Sequence, residues 1–243
     1  MMLMKRNVLS VLLAFLLHAA NSQQVGKESG HKYEFGISYL PSISYRSLRF
    51  SKSQEFLETL RNSNEIPKYS FSLAVLAQRR LNKNGAVQVA LSFSNPGYKT
   101  KETSVIWESP RPMYPAFHQV SFSYQYLSVA AGYRFMLNDA KFVCYVLPGF
   151  SLDGFIQRKT TMVIGYSDGK KEKLKSAVHG GYSAGGLSLI AAAGIKYNLS
   201  DQFAICVEPT FKHGLISVNP DKDSKEYVYF FGLNMVLIFS PEK

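Results

Sequence analysis

Residues 126–155 read YLSVAAGYRFMLNDAKFVCYVLPGFSLDGF, and their alternation decides the fold. Before Leu137-Asn138-Asp139-Ala140, the side chains of Leu127, Val129, Ala131, Tyr133 and Phe135 point one way and Ser128, Ala130, Gly132 and Arg134 the other. After it, Phe142, Cys144, Val146, Pro148, Phe150 and Leu152 share a face, opposed by Lys141, Tyr145, Gly149, Ser151 and Asp153. Successive side chains of a strand stand on opposite sides of a sheet, so a period of two marks a strand between two different environments. Asn-Asp between two such runs is a tight hairpin turn.

The same unit recurs along the chain. Strands are expected over residues 31–40 (ended by Pro41), 69–80, 86–94, 187–199 and 202–213, with a last one from Tyr227 to Phe239. With the opening hairpin this makes eight strands of about ten residues, the length a tilted strand needs to cross a bilayer. Connections alternate long and short, which is the pattern of a transmembrane barrel with brief turns inside and longer loops outside. The first long connection carries Ser51-Lys-Ser-Gln54 before Phe56, Leu57 and Leu60, a capping-box spacing that predicts a helix over residues 52–62. The second, residues 97–117, holds Pro110, Pro112 and Pro115 and reads as a stiff flap rather than a strand. The third contains Ser167-Asp168-Gly169-Lys170, a hairpin tip, so its flanking strands are expected to extend as a ribbon past the membrane. Upstream of Tyr126 the phase slips, because Phe122 and Tyr124 do not match Leu127 and Val129. A bulge, or emergence of the strand from lipid, would each account for this.

Residues 1–22 are set apart from the expected barrel domain, 23–243. Lys5 and Arg6 precede an apolar core over residues 8–17, and Ala20-Asn21-Ser22 supplies a small-residue cleavage site, the anatomy of a secretory signal peptide. Beyond it no apolar run approaches a membrane helix, and mean hydropathy is near zero. Fifteen Tyr and seventeen Phe against one Trp suit strands and interfacial girdles. The formal charge of +11 would suit nucleic acid, but export argues against that partner. It points instead to lipid headgroups or lipopolysaccharide phosphates. Cys144 falls on the apolar face and Cys206 on the polar face, so two free thiols are expected despite export.

Alternation does not say which face is inside. A lipocalin-like ligand carrier would turn its apolar face inward. Three features favour the inverse. The polar face is crowded with Gly, Ala and Ser, sizes that fit a narrow lumen. The charged residues on that face, Glu34, Arg80, Arg134, Lys141, Lys196 and Glu208, would form one interior network, with Glu34 and Glu208 as counter-ions. Rings cluster at strand ends: Tyr33, Tyr39, Tyr69, Tyr133, Phe135, Tyr197, Tyr227 and Phe239. The expected fold is therefore all-β, an eight-stranded antiparallel up-and-down transmembrane β-barrel.

Two hairpins carry a resemblance. Tyr69-Ser-Phe-Ser-Leu-Ala, Arg80-Leu-Asn-Lys-Asn-Gly and Leu91-Ser-Phe-Ser-Asn-Pro-Gly-Tyr98 resemble the second hairpin of the PorT-like small outer-membrane β-barrel proteins common in Bacteroidetes. Tyr126-Leu-Ser-Val with Tyr145-Val-Leu-Pro-Gly-Phe150 is similar to that group's central hairpin. The resemblance implies an outer-membrane address and an eight-stranded barrel, and one branch of the group is tied to protein secretion.

An eight-stranded barrel is filled by its own side chains, which places function at the loops, the rim or the lipid-facing wall. His118 and His213 fall near outer strand ends, with Ser121, Ser123, Ser151 and Asp153 in range of a lipid A-modifying hydrolase or acyltransferase site. No sequence motif accompanies them, and rim histidines are more often merely solvated. His31, His118, His179 and His213 show no metal-ligand spacing, so neither metal nor cofactor is expected. Lys170, Lys171, Lys173 and Lys175 form the densest basic stretch, a candidate anion-binding loop whose blander reading is a solvated arm. The expectation is a non-enzymatic barrel, with external loops for binding, envelope structure or secretion. Its partners would be outer-membrane lipids and lipopolysaccharide, the barrel-assembly machinery, and secretion or envelope proteins.

Overall fold

A computed structural model describes residues 33–82, 84–108, 113–138, 142–221 and 223–241. The signal segment, His31, Pro110, Pro112 and Lys141 lie outside the described residues. Among the described residues, β1 (Tyr33–Phe50), β2 (Glu65–Asn82), β3 (Gly85–Ser94), β6 (Pro115–Met136), β7 (Phe142–Tyr166), β9 (Gly185–Asn198), β10 (Phe203–Gly214) and β11 (Ser224–Phe239) follow one another around a ring. Every pairing is antiparallel, and β11 pairs with β1 from Phe35↔Phe239 to Phe50↔Ser224, which closes the barrel. At the loop end β4 (Gly97–Thr100) continues the place of β3 between β2 and β6, while two further short strands, β5 (Thr103–Ser104) and β8 (Lys171–Val178), stand outside the ring. Helix α1 (Glu55–Asn64) sits in the first long connection.

The inversion expected from the sequence holds. Residues of the apolar face are exposed on the outer wall, as Ile37 (60%) and Phe231 (58%) illustrate, while Ser44, Ser128, Ser151 and Arg134 are buried inside. Rings mark both edges of this apolar belt. Phe142 stacks on Tyr197 at 4.8 Å and Phe203 meets Phe239 at 5.4 Å near the short turns. Phe71 lies 6.3 Å from Phe93, and His213 is parallel to Tyr229 at 6.1 Å, towards the loops. Cys144 and Cys206 are both free, Cys206 facing the lumen.

Several boundaries differ from the sequence expectation. β1 does not stop at Pro41 but runs to Phe50. Pro41 sits where the ladder to β11 skips Leu40 and Pro41, so its missing N–H breaks no ladder bond on that side. A Cβ at Gly232 would stand 2.2 Å from the Pro41 carbonyl oxygen, so only glycine permits this approach. Beyond Tyr45 the outward positions turn polar (Ser47, Arg49) and Leu48 faces inward, which ends the apolar-out pattern. Residues 97–117 are not a flap without strand. β4 bridges β2 and β6, and β5 pairs with His118 and Phe117. The chain passes Pro96 because Asn95 Oδ1 accepts from Phe71 N at 2.8 Å and the Pro96 carbonyl accepts from Tyr124 N at 2.8 Å. The expected capping box is not formed: Ser51 makes no side-chain cap bond, and a 3₁₀ turn (Lys52–Gln54) leads into α1 instead.

The slip near Tyr126 also has a different origin. β6 keeps one phase, and Tyr124 and Tyr126 remain inward with Ser128 and Arg134. The extra residue lies on the partner strand: Gln125 pairs with Gln157 but Tyr126 with Phe155, so Ile156 is a bulge in β7. The predicted ribbon is present. β7 runs on to Tyr166, turns through Gly169 (φ +85), and returns as β8.

Candidate functional site

The lumen is filled in layers. Nearest the short turns, Lys196 Nζ donates to both Glu34 carboxylate oxygens at 2.8 Å, and Gln78 donates to the same carboxylate. A second group surrounds Arg134, which is 0% exposed. Its Nη2 donates to Glu208 Oε1 at 3.0 Å and Gln88 Oε1 at 2.9 Å, and its guanidinium lies 4.2 Å from the Tyr145 ring centroid. Tyr145 and Asn234 donate to Glu208 at 2.5 Å and 3.0 Å, so both carboxylate oxygens accept hydrogen bonds. Gly194 gives this cluster room: a Cβ there would stand 2.7 Å from the Tyr145 hydroxyl. Glu34, Arg134, Lys196 and Glu208, expected as one interior network, thus face the lumen in two separate groups. Arg80 Nε donates to the Asn82 carbonyl at 3.4 Å at the end of β2.

Midway along the lumen, Lys212 Nζ donates to Asp153 Oδ1 at 2.6 Å, and Ser151 and Ser188 donate to the same carboxylate. A cavity of about 40 Å³ adjoins them, lined also by Tyr126, Ser183 and Ser217. It has room for a few waters, and a sugar or nucleotide would not fit. Above it sits an aromatic cluster of Tyr98, Tyr124, Tyr126, Val218 and Val228.

The loop end is closed by a charged clasp. Arg46 Nε donates to Glu65 Oε2 at 2.6 Å, and its Nη1 to Asn62 Oδ1 at 3.2 Å. Arg61, from α1, donates to Glu65 Oε1 (2.8 Å), the Tyr98 hydroxyl (2.8 Å) and Glu226 Oε2 (3.1 Å), while Tyr124 donates to Glu226 Oε1 at 2.6 Å. Partial burial works against the charge of Arg61, yet Glu65, Tyr98 and Glu226 outweigh it and hold its pKa above the ordinary value. The sequence reading missed these residues. Continuing the Ser42–Ser44 parity past Pro41 would have found Arg46; the rest depend on pairings between distant strands.

The rim candidates do not assemble. His213 is on the outer wall, beside Phe211 and Tyr229, whereas its neighbour Lys212 reaches Asp153 inside. His118 pairs with Thr103 and Ile164, ten residues along β6 from Ser128, which lies opposite Asp153. Ten residues of strand span about 33 Å. Of the four basic-loop lysines, Lys170 is taken into the turn by Asp168 at 3.0 Å. The Lys170 backbone N–H, then its side chain, lower the Asp168 pKa. Lys171, Lys173 and Lys175 are exposed along β8. Among the described residues, no group of His, Cys, Asp and Glu could hold a metal ion.

Several solved structures are similar to this chain at low identity. Neisserial surface protein A is 11% identical, with 88% of this chain and 100% of that one covered and a TM-score of 0.43. OprG from Pseudomonas aeruginosa is 11% identical (87% and 99% covered, TM-score 0.40), and Ail from Yersinia pestis 15% (87% and 100%, TM-score 0.35). No curated protein matches the chain. The model of one family, described as "Outer membrane protein beta-barrel domain", matches residues 9–234. With that match spanning nearly the whole sequence, and a closed eight-stranded ring turned apolar side out, the chain belongs to the outer membrane protein beta-barrel domain family.

Proposed function

We propose that this outer-membrane protein is a non-enzymatic barrel that works through the surface it presents outside the membrane, in binding, envelope structure or secretion. Its hairpins resemble the PorT-like group of Bacteroidetes, which favours an envelope or secretion role over nutrient passage. The observation that carries the reading is the filled lumen. From the Glu34–Lys196 pair to the Arg61 clasp, buried ion pairs cross the lumen, and only a few buried atoms among them, such as Gln78 Oε1, Arg134 Nε, Asn234 Oδ1 and the Tyr126 hydroxyl, have no hydrogen-bond partner among the described residues. A buried ion pair with its hydrogen bonds satisfied holds one arrangement, and breaking it is costly. A solute would have to break four such layers to pass, at Glu34–Lys196, Arg134–Glu208, Asp153–Lys212 and the clasp. The separation of His118 and His213 from Asp153 also supports a role without catalysis. Outer-membrane lipids, the barrel-assembly machinery and envelope or secretion proteins are the partners this reading assigns.

The test pairs two measurements. Purified protein in planar bilayers is expected to give no stepwise conductance, and a deletion strain to show an unchanged lipid A mass profile. Discrete channels, or a shifted acyl or phosphate count in lipid A, would overturn the reading.

A further inference from the structure

In an antiparallel ladder, directly opposed residues share a face. Along β6 the outward phase runs without a break from Val129 and Leu127 to Ser123, Ser121 and Phe117. β7 would have put Lys159 on the lumen side had it kept the phase of Leu152, and the Ile156 bulge reverses this. Past the bulge, Ser123 is opposite Lys159, and Arg158 turns inward over Phe122 and Tyr182. The register with β8 then carries Lys175, Lys173 and Lys171 to the same outward face, opposite Thr161, Val163 and Gly165. On the other flank, β4 sets Lys99 opposite Ser121. Phe117 occupies the space over Gly165, and Lys171 Nζ lies 5.7 Å from its ring centroid, which confirms the facing.

Five lysines thus stand on one face, and the ladders put no carboxylate among them. Glu172 is on the opposite face, bonded to Tyr166, and Asp168 is at the tip. The strip continues the lipid-facing wall. Ser123 is four residues beyond Leu127, about 13 Å along a tilted strand. Lys159, Lys99 and Lys175 therefore reach the level of lipid phosphates, and Lys173 and Lys171 the saccharide above them. A soluble anion would need no such continuity with hydrocarbon; a phosphorylated glycolipid would, since its acyl chains lie on the wall directly below.

We propose that this outward face of the ribbon binds lipopolysaccharide of the outer leaflet through its lipid A phosphates, with Lys99, Lys159 and Lys175 as the main contacts. The proposal rests on the reading that the outer surface does the work, and deepens it by naming the partner. It is tested with the full chain refolded in detergent, titrated at low salt with fluorescent lipopolysaccharide, dephosphorylated lipopolysaccharide or phosphatidylglycerol. Heat-resistant mobility checks the fold of each variant. Intact lipopolysaccharide is expected to bind best. The Lys99→Gln/Lys159→Gln/Lys175→Gln variant should lose affinity on the order of 100-fold, about five-fold per lysine near a charged surface. The corresponding triple Arg variant and Lys170→Gln should bind as the parent does. Equal binding by the folded Gln variant, or by the dephosphorylated lipid, overturns the strip, and equal binding of phosphatidylglycerol overturns the assignment to lipopolysaccharide. Either failure leaves the sealed-lumen reading standing, because conductance and the lipid A profile decide that separately.

Discussion

Arg134 is fully buried, and its charge is sustained by Glu208, Gln88 and the Tyr145 ring. Glu208→Leu would strand that charge in the lumen, at a cost of about 3–5 kcal/mol. The expected result is a lower urea midpoint for refolded protein, with much of the loss recovered in Arg134→Met/Glu208→Leu. At Gly194, a side chain would push into Tyr145 and Glu208, so Gly194→Val should destabilise by about 1–3 kcal/mol in the same assay. Parity along single strands was enough to read Arg134, Lys196, Glu34 and Glu208 as interior. It could not pair Lys212 with Asp153, which the sequence reading left at the rim, nor Arg61 with Glu226, since they are 165 positions apart. Pairing is a property of register, and register is written across strands.

Elements were legible where lipid dictates the pattern and faded where it stops. Each strand was found over its hydrocarbon-facing part; the outer extension of β7 was legible from its hairpin tip, whereas those of β1 and β6 were missed or misread, because above the membrane both faces meet polar surroundings. Tyr124 shows why: a ring facing the lumen looks from sequence like a ring facing lipid. The ribbon makes a separate unit. Arg158 lies opposite Val178, so replacing residues 159–177 with Asn-Gly gives a two-residue hairpin of allowed geometry. That variant is expected to keep the heat-resistant mobility of the folded barrel and to lose lipopolysaccharide binding. A barrel that fails to fold without the ribbon would show instead that β8 contributes to closure.

As a whole, the molecule is a wall with a filled interior, apolar on its outer side and capped by α1. Transfer from detergent to plain buffer should aggregate it, readable by light scattering, since the exposed belt has no other partner than hydrocarbon. The ring closes through β1 and β11, the first and last strands described. Until residues 224–239 exist, β1 has a bare edge on one side and β10 another, and no intermediate length satisfies both. Stability therefore arrives in a single late step, with the entropy of joining distant ends unrecovered until then. Chains cut before Ser224 should be cleared by proteases rather than accumulate as smaller barrels. A cell that makes this protein has to shepherd it, unpaired and adhesive, for the full time between its earliest strand and its final one.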